Sequence, residues 1–222
     1  MGRNNIFPDK WQIRSGRTGL EINQYGSVVS IMDLKDGYVY FNSGVDGGNL
    51  FHILIPTQKW SSRAIIPSLS PPPEISKSKE GFLLIYNNLQ IDKKPAGIKI
   101  KVRIVSSHRK DEIAMKLYLS NYGRERVTGV SFPWIRGWMS GGDIMLGPCG
   151  KLDLSSLPGW TPAWGNGTSA QNSIKSSYPE ALMVPWVDFS CEKGGVSCIN
   201  YQEEPRNCYA SIIKESQPDH SA

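Results

Sequence analysis

Histidine is scarce in this 222-residue chain, cysteine is confined to its second half, and long apolar runs are missing. Each shortage removes a class of function. The four cysteines are Cys149, Cys191, Cys198 and Cys208, and the last three are spaced by seven and ten residues. That spacing fits neither a zinc ribbon nor a CxxC redox pair, and three histidines cannot complete a ligand set, so no metal and no cofactor is expected. A Cys191–Cys198 bridge across a hairpin stays open for an oxidising compartment, with buried free thiols as the default. No window approaches the roughly 18 apolar residues of a membrane span, so no membrane partner is expected. Met1 to Trp11 lacks the apolar centre of a signal peptide, and Ile6 stands where a myristoylation signal needs Ser or Thr. The expected compartment is cytoplasmic by default, or secreted if the chain is a fragment. One glycosylation sequon, Asn166-Gly167-Thr168, carries little weight.

Recognisable catalytic loops are missing too. The chain contains no P-loop and no Rossmann glycine pattern; Gly137 to Gly142 includes Ser140 but lacks GxSxG spacing. The net charge is +5, from 25 Lys and Arg against 20 Asp and Glu, and this surplus is thinly spread. Its densest part, Lys99, Lys101 and Arg103, alternates with Ile98, Ile100, Val102 and Ile104, which puts cations and aliphatics on opposite faces of one strand. A solvated sheet face explains this. A nucleic-acid surface would need more cations, interleaved aromatics or a known module, so no nucleic-acid partner is expected.

What the chain has is turn residues and period-two patterns. With 22 Gly and 15 Pro and no helical period, it reads as all-β, a predominantly antiparallel β-sandwich of many short strands. Strands are expected from Trp11 to Ser15 and Thr18 to Asn23, then Ser27 to Leu34 and Tyr38 to Phe41 around an Asp36-Gly37 turn. Asn49 to Pro56 follows the glycine-rich loop Gly44 to Gly48. Pro71, Pro72 and Pro73 cannot donate to a ladder and mark a crossing loop or an edge. A short strand from Ile75, then Gly81 to Asn87 and Gly97 to Val105, restore the pattern. Between Asp111 and Trp138, two apolar runs flank Asn121-Tyr122-Gly123. The first places Ile113, Met115, Leu117 and Leu119 on one face, and the whole is expected to be a hairpin with a charged tip. Later strands are expected at Asp143 to Leu146, Leu152 to Leu154 and Gly194 to Tyr201, while Ala181 to Val184 and Pro185 to Phe189 read as apolar, buried segments. The expected division is a polar extension over residues 1–10, a single domain over 11–213 and a frayed tail over 214–222.

In this order the chain resembles the galactose-mutarotase-like β-sandwich, the supersandwich found ahead of a catalytic barrel in several multidomain glycoside hydrolases. The resemblance lies in the opening meander with its Asp36-Gly37 turn, the strand Leu50 to Pro56, and the stretch Leu117 to Pro133 with Asn121 at its turn. It continues in the loop Trp160 to Gly165, Tyr178-Pro179, Trp186 to Phe189, and Gly194 to Val196. It implies a carbohydrate-associated module with no catalytic residues of its own, whose carboxylates reside in a barrel of the same or another chain.

Sugars stack their apolar faces on flat rings, and Trp134, Trp138, Trp160, Trp164, Tyr178 and Trp186 crowd the second half of the chain. The expected substrate-binding residues are Trp160, Trp164, Tyr178 and Trp186, with Asp188. The same aromatics would also serve to fill a core or a docking face. A glycosidase needs two carboxylates astride the bond. Asp143, Asp153, Glu180, Asp188, Glu203 and Glu204 are available, with none singled out as catalytic. Asp188, between Trp186 and Phe189, suits either a raised pKa or a satisfied structural hydrogen bond. A mutarotase would use a histidine acid, but His52 shares a strand face with Leu50 and Leu54, His108 lies in a basic turn and His220 in the tail. The alternatives to a non-catalytic module are a stand-alone glycosidase or aldose epimerase-like enzyme, and a lectin-like carbohydrate binder.

Overall fold

A computed structural model of the chain describes residues 11–43, 49–57, 62–135, 137, 143–146, 151–152, 172–178, 186–200 and 208–214. Strands dominate and no α-helix is present among them, which makes the fold all-β. The chain forms two compact units, Met1–Met139 and Ser140–Ala222.

The first unit opens with a four-stranded antiparallel meander: β1 (Trp11–Ser15), β2 (Thr18–Ile22), β3 (Val28–Asp33) and β4 (Val39–Asn42). Its turns follow from local chemistry. Asn23 accepts the N–H groups of Tyr25 and Ser27 on its side-chain oxygen, each at 3.0 Å, which closes the β2–β3 turn. The expected Asp36-Gly37 turn joins β3 to β4, with Gly37 at φ +68° and the N–H of Asp33 donating to the carbonyl of Tyr38. Arg17 caps this end, its guanidinium bridging the carboxylates of Asp33 and Asp36.

A second antiparallel sheet has the order β12 (Ile113–Asn121), β11 (Ile98–Ser106), β8 (Gly81–Tyr86), β7 (Glu74–Lys77). The alternation read from β11 holds: Ile98, Ile100, Val102 and Ile104 are buried while Lys101 and Arg103 are exposed. The two sheets meet through side chains. Trp11 packs edge-on against Phe82 at 5.9 Å, and the Tyr86 hydroxyl donates to the carbonyl of Tyr25 at 2.8 Å. Gly26, at φ +78°, lies under Leu84 and Tyr86, where a Cβ would collide with both. Full burial of each apolar side chain in this layer contributes about 1.5–3 kcal/mol.

A third sheet, β13 (Gly129–Ser131), β5 (His52–Pro56) and β6 (Ser62–Ile65), follows, with Phe51 stacked edge-on against Tyr86 at 5.0 Å. A small hairpin, β9 (Gln90–Ile91) and β10 (Lys94–Pro95), turns through Asp92 and Lys93, both at positive φ. Pro71 to Pro73 lie outside the ladders, as a crossing segment.

The hairpin expected between Asp111 and Trp138 does not form. β12 pairs instead with β11, over nine residues from Ile98↔Asn121 to Ser106↔Ile113. The second run contributes β13, which pairs with β5 through Gly129↔Leu54, Val130↔Ile53 and Ser131↔His52. The cause is local. Asn121 does make its turn, accepting from the N–H of Gly123 and donating to the carbonyl of Glu125. Gly123, however, is pressed against Ala96 and Gly97, so the chain leaves one sheet for another rather than doubling back. Period-two patterning fixes which face a strand shows and leaves its partner open.

In the second unit, β14 (Asp143–Leu146), β15 (Lys151–Leu152), β17 (Trp186–Cys191) and β18 (Gly194–Ile199) form an antiparallel sheet of order β15-β14-β17-β18. A separate pair, β16 (Asn172–Tyr178) and β19 (Cys208–Lys214), runs in register from Asn172↔Lys214 to Tyr178↔Cys208. Lys214, expected to open a frayed tail, ends this ladder.

Candidate functional site

Two of the expected site residues share one strand of the second unit. Trp186 pairs with Ile199 and Asp188 with Ser197 across the β17–β18 hairpin. Ser197 donates its hydroxyl to the Asp188 carboxylate at 2.6 Å. The opposite face of the hairpin carries buried Val187 with half-buried Phe189, Val196 and Cys198. Strand alternation produces this split, and it leaves Asp188 on the more polar side with a partner.

Neither Cys191 nor Cys198 forms a disulfide. Cys191 pairs with Gly194 and Cys198 with Val187, so the two cysteines are four residues out of register. At about 3.3 Å per residue that offset is far beyond the span of a disulfide. Burial, and secondarily the Asp188 carboxylate, pushes the Cys198 thiol up to about 11. It is therefore protonated at neutral pH and a poor nucleophile.

Tyr178 ends β16 opposite Cys208, and among the described residues that pair forms a sheet separate from the one holding Trp186 and Asp188. Trp160, Trp164 and Trp138 lie outside the described residues, as do Asp153, Glu180, Glu203, Glu204, His220, the sequon and the Gly44 to Gly48 loop. Of the remaining carboxylates, Asp143 pairs with Ser190 while Asp188 pairs with Met145. These two positions stand on neighbouring strands, offset by two residues.

The first unit holds a cleft that sequence reasoning missed. It encloses about 180 Å³ and is lined by Gln12, Arg14, Lys77, Lys79, Glu80 and Ser106, among others. Such a volume falls below the ~300 Å³ at which small-molecule sites begin. Its carboxylate, Glu80, is held by Arg103 at 3.0 Å. The cations come from the ends of β1 and β7 and the turn after β7, three short segments that no sequence pattern links.

Trp134 is accounted for by packing. Its ring stacks on His52 at 4.2 Å with 23° between planes, and the backbone N–H of Trp134 donates to the carbonyl of Leu50. His52 is thereby drawn into the third sheet, and His108 is exposed in the turn before β12. Among the described residues no three His, Cys, Asp or Glu side chains gather as a metal site, and no helix is long and apolar enough to cross a membrane.

No protein-family model matches the chain, and no curated protein matches it.

Proposed function

We propose that this chain is a carbohydrate-associated, non-catalytic β-sandwich module of the galactose-mutarotase-like type, which packs on a catalytic barrel in the same or another chain. The observation that carries the reading is the antiparallel sandwich of the first unit. It is built from the opening meander with its Asp36-Gly37 turn and from the strand around Leu50 to Pro56. Those are two of the elements on which the sequence resemblance rests. Sugar contact falls to Trp160, Trp164, Tyr178 and Trp186, with Asp188 as the polar partner. The cleft of the first unit offers one carboxylate, already ion-paired, where hydrolysis needs two.

The test is a titration of the chain with a panel of oligosaccharides, read by tryptophan fluorescence and by product formation. The reading expects a fluorescence change abolished by Trp160→Ala or Trp164→Ala, with no product. Absence of any sugar response would sink it.

The register of β14 and β17 favours a second reading, that of an enzyme in its own right. Diagonal neighbours on adjacent strands are about 7–8 Å apart, and inverting glycosidases separate their two carboxylates by about 6.5–9.5 Å. Asp143 and Asp188 occupy such positions. This reading expects product from the unmodified chain, lost in both Asp143→Asn and Asp188→Asn.

A further inference from the structure

We propose that two copies of this chain pair through β12, antiparallel and across a two-fold axis at Leu117, so that the sheet β12-β11-β8-β7 continues into its partner. Among the described residues β12 ends that sheet, and its nine-residue pairing with β11 shows no register shift. No proline or bulge interrupts it, so it lacks two of the usual devices that blunt an edge. Its inward face, Ile113, Met115, Leu117 and Leu119, is only half-buried, whereas Ile100, Val102 and Ile104, which face the last three of these from β11, are fully covered. An edge of unpaired backbone groups beside a half-covered apolar row invites another strand.

The sequence of β12 suits a second copy. Antiparallel pairing about Leu117 sets Met115 opposite Leu119, Leu117 opposite Leu117, and Ile113 opposite Asn121. On the outward face it sets Lys116 opposite Tyr118. Within one chain Lys116 already lies 5.3 Å from the Tyr118 ring centroid, and that ring is 48% exposed. The pairing thus faces cation with aromatic, not cation with cation, and repeats the favourable contact twice by symmetry. Lys99, Lys101 and Arg103 belong to β11, one strand further from the axis, so their mutual repulsion is screened by distance. Shifting the axis to Lys116 would oppose two ammonium groups directly, which selects the Leu117 register.

Such an interface buries less than the roughly 1,600 Å² of a standard one, so the expected dimer is weak. Sedimentation equilibrium on the full chain over a concentration series should show a reversible monomer–dimer equilibrium, with hydrogen exchange at the β12 amides slowing as concentration rises. Tyr118→Lys should raise the dimer dissociation constant by about three- to tenfold and Tyr118→Glu should lower it by a similar factor, since each cross-strand charge pair counts twice. The double variant Lys116→Glu with Tyr118→Lys should restore what Tyr118→Lys loses. A monomer at every concentration overturns the proposal. So does a dimer that leaves β12 exchange unchanged, or one whose affinity is indifferent to the charge at these two positions.

Discussion

The hydroxyl of Tyr86 donates to the carbonyl oxygen of Tyr25, a residue 61 positions earlier, at 2.8 Å. This bond joins the turn of the opening meander to the buried centre of the second sheet. Burial holds the phenol well above its usual pKa, so the donor proton stays in place through the whole physiological range. Tyr86→Phe should therefore cost about 1–1.5 kcal/mol in urea unfolding, because the Tyr25 carbonyl loses its partner. Gly26→Ala should cost more than about 2 kcal/mol, since it combines a positive φ with a collision against Leu84 and Tyr86. Equal effects of the two changes would mean that the turn does not pack as described.

Asp33 supplies an acid-sensitive contribution. Its carboxylate is 7% exposed and is held below the usual carboxylate range chiefly by the hydrogen bond from Arg17, with further help from the N–H of Lys35. A depressed folded-state pKa stabilises fully above the unfolded-state value and is lost as pH falls through the folded-state value. The stability gap between the unmodified chain and Asp33→Asn should be widest near neutrality and should close in acid, below about pH 4. A gap independent of pH would show that the charge is not what matters.

Cys198 responds in the opposite direction. Its folded-state pKa is raised to about 11, so its contribution to stability is complete below the ordinary thiol pKa and disappears as pH climbs toward 11. At pH 8 its alkylation by iodoacetamide, followed by peptide mass spectrometry, should be slow in the native chain and fast in urea. Asp188→Asn removes a nearby negative charge and should quicken the native reaction. An unchanged rate would separate the two groups.

Ile100 and Leu119 face each other directly across β11 and β12, yet Ile100 is 0% exposed and Leu119 is half-buried. Ile100→Ala should cost about 3–4 kcal/mol and Leu119→Ala about 1–2 kcal/mol in dilute solution. Comparable losses would indicate that the inner face of β12 is covered even in the monomer.

Much of this fold is legible in the sequence where the controlling physics is local. The meander could be read because Gly16, Asn23, Gly26 and the Asp36-Gly37 pair specify turns within a few residues. The alternation of β11 could be read because burial follows side-chain parity. β6, β16 and β19 were missed, because Ser62 to Ile65, Asn172 to Tyr178 and Cys208 to Lys214 carry no clear period-two alternation. The partner of β13 was misread because pairing depends on residues far away in sequence. Likewise, the stack of His52 on Trp134 joins residues that no periodicity relates. The Ser197–Asp188 bond needs the hairpin register, which the sequence suggests only once Glu192 and Lys193 are recognised as its turn.

The pairing of β5 with β13 bears on how this protein is made. Leu54 and Thr128, bonded at the end of that ladder, are 74 residues apart, and every strand of the second sheet is synthesised between them. While the chain emerges from the ribosome, the meander can close on itself, but the apolar strand around Ile53 and Ile55 keeps one edge bare until Gly129 to Ser131 arrive. At roughly 5–20 residues per second that wait lasts several seconds. The nascent chain therefore carries an open β-edge for about a third of its synthesis, and over that interval the stretch from His52 to Pro56 is open to mispairing.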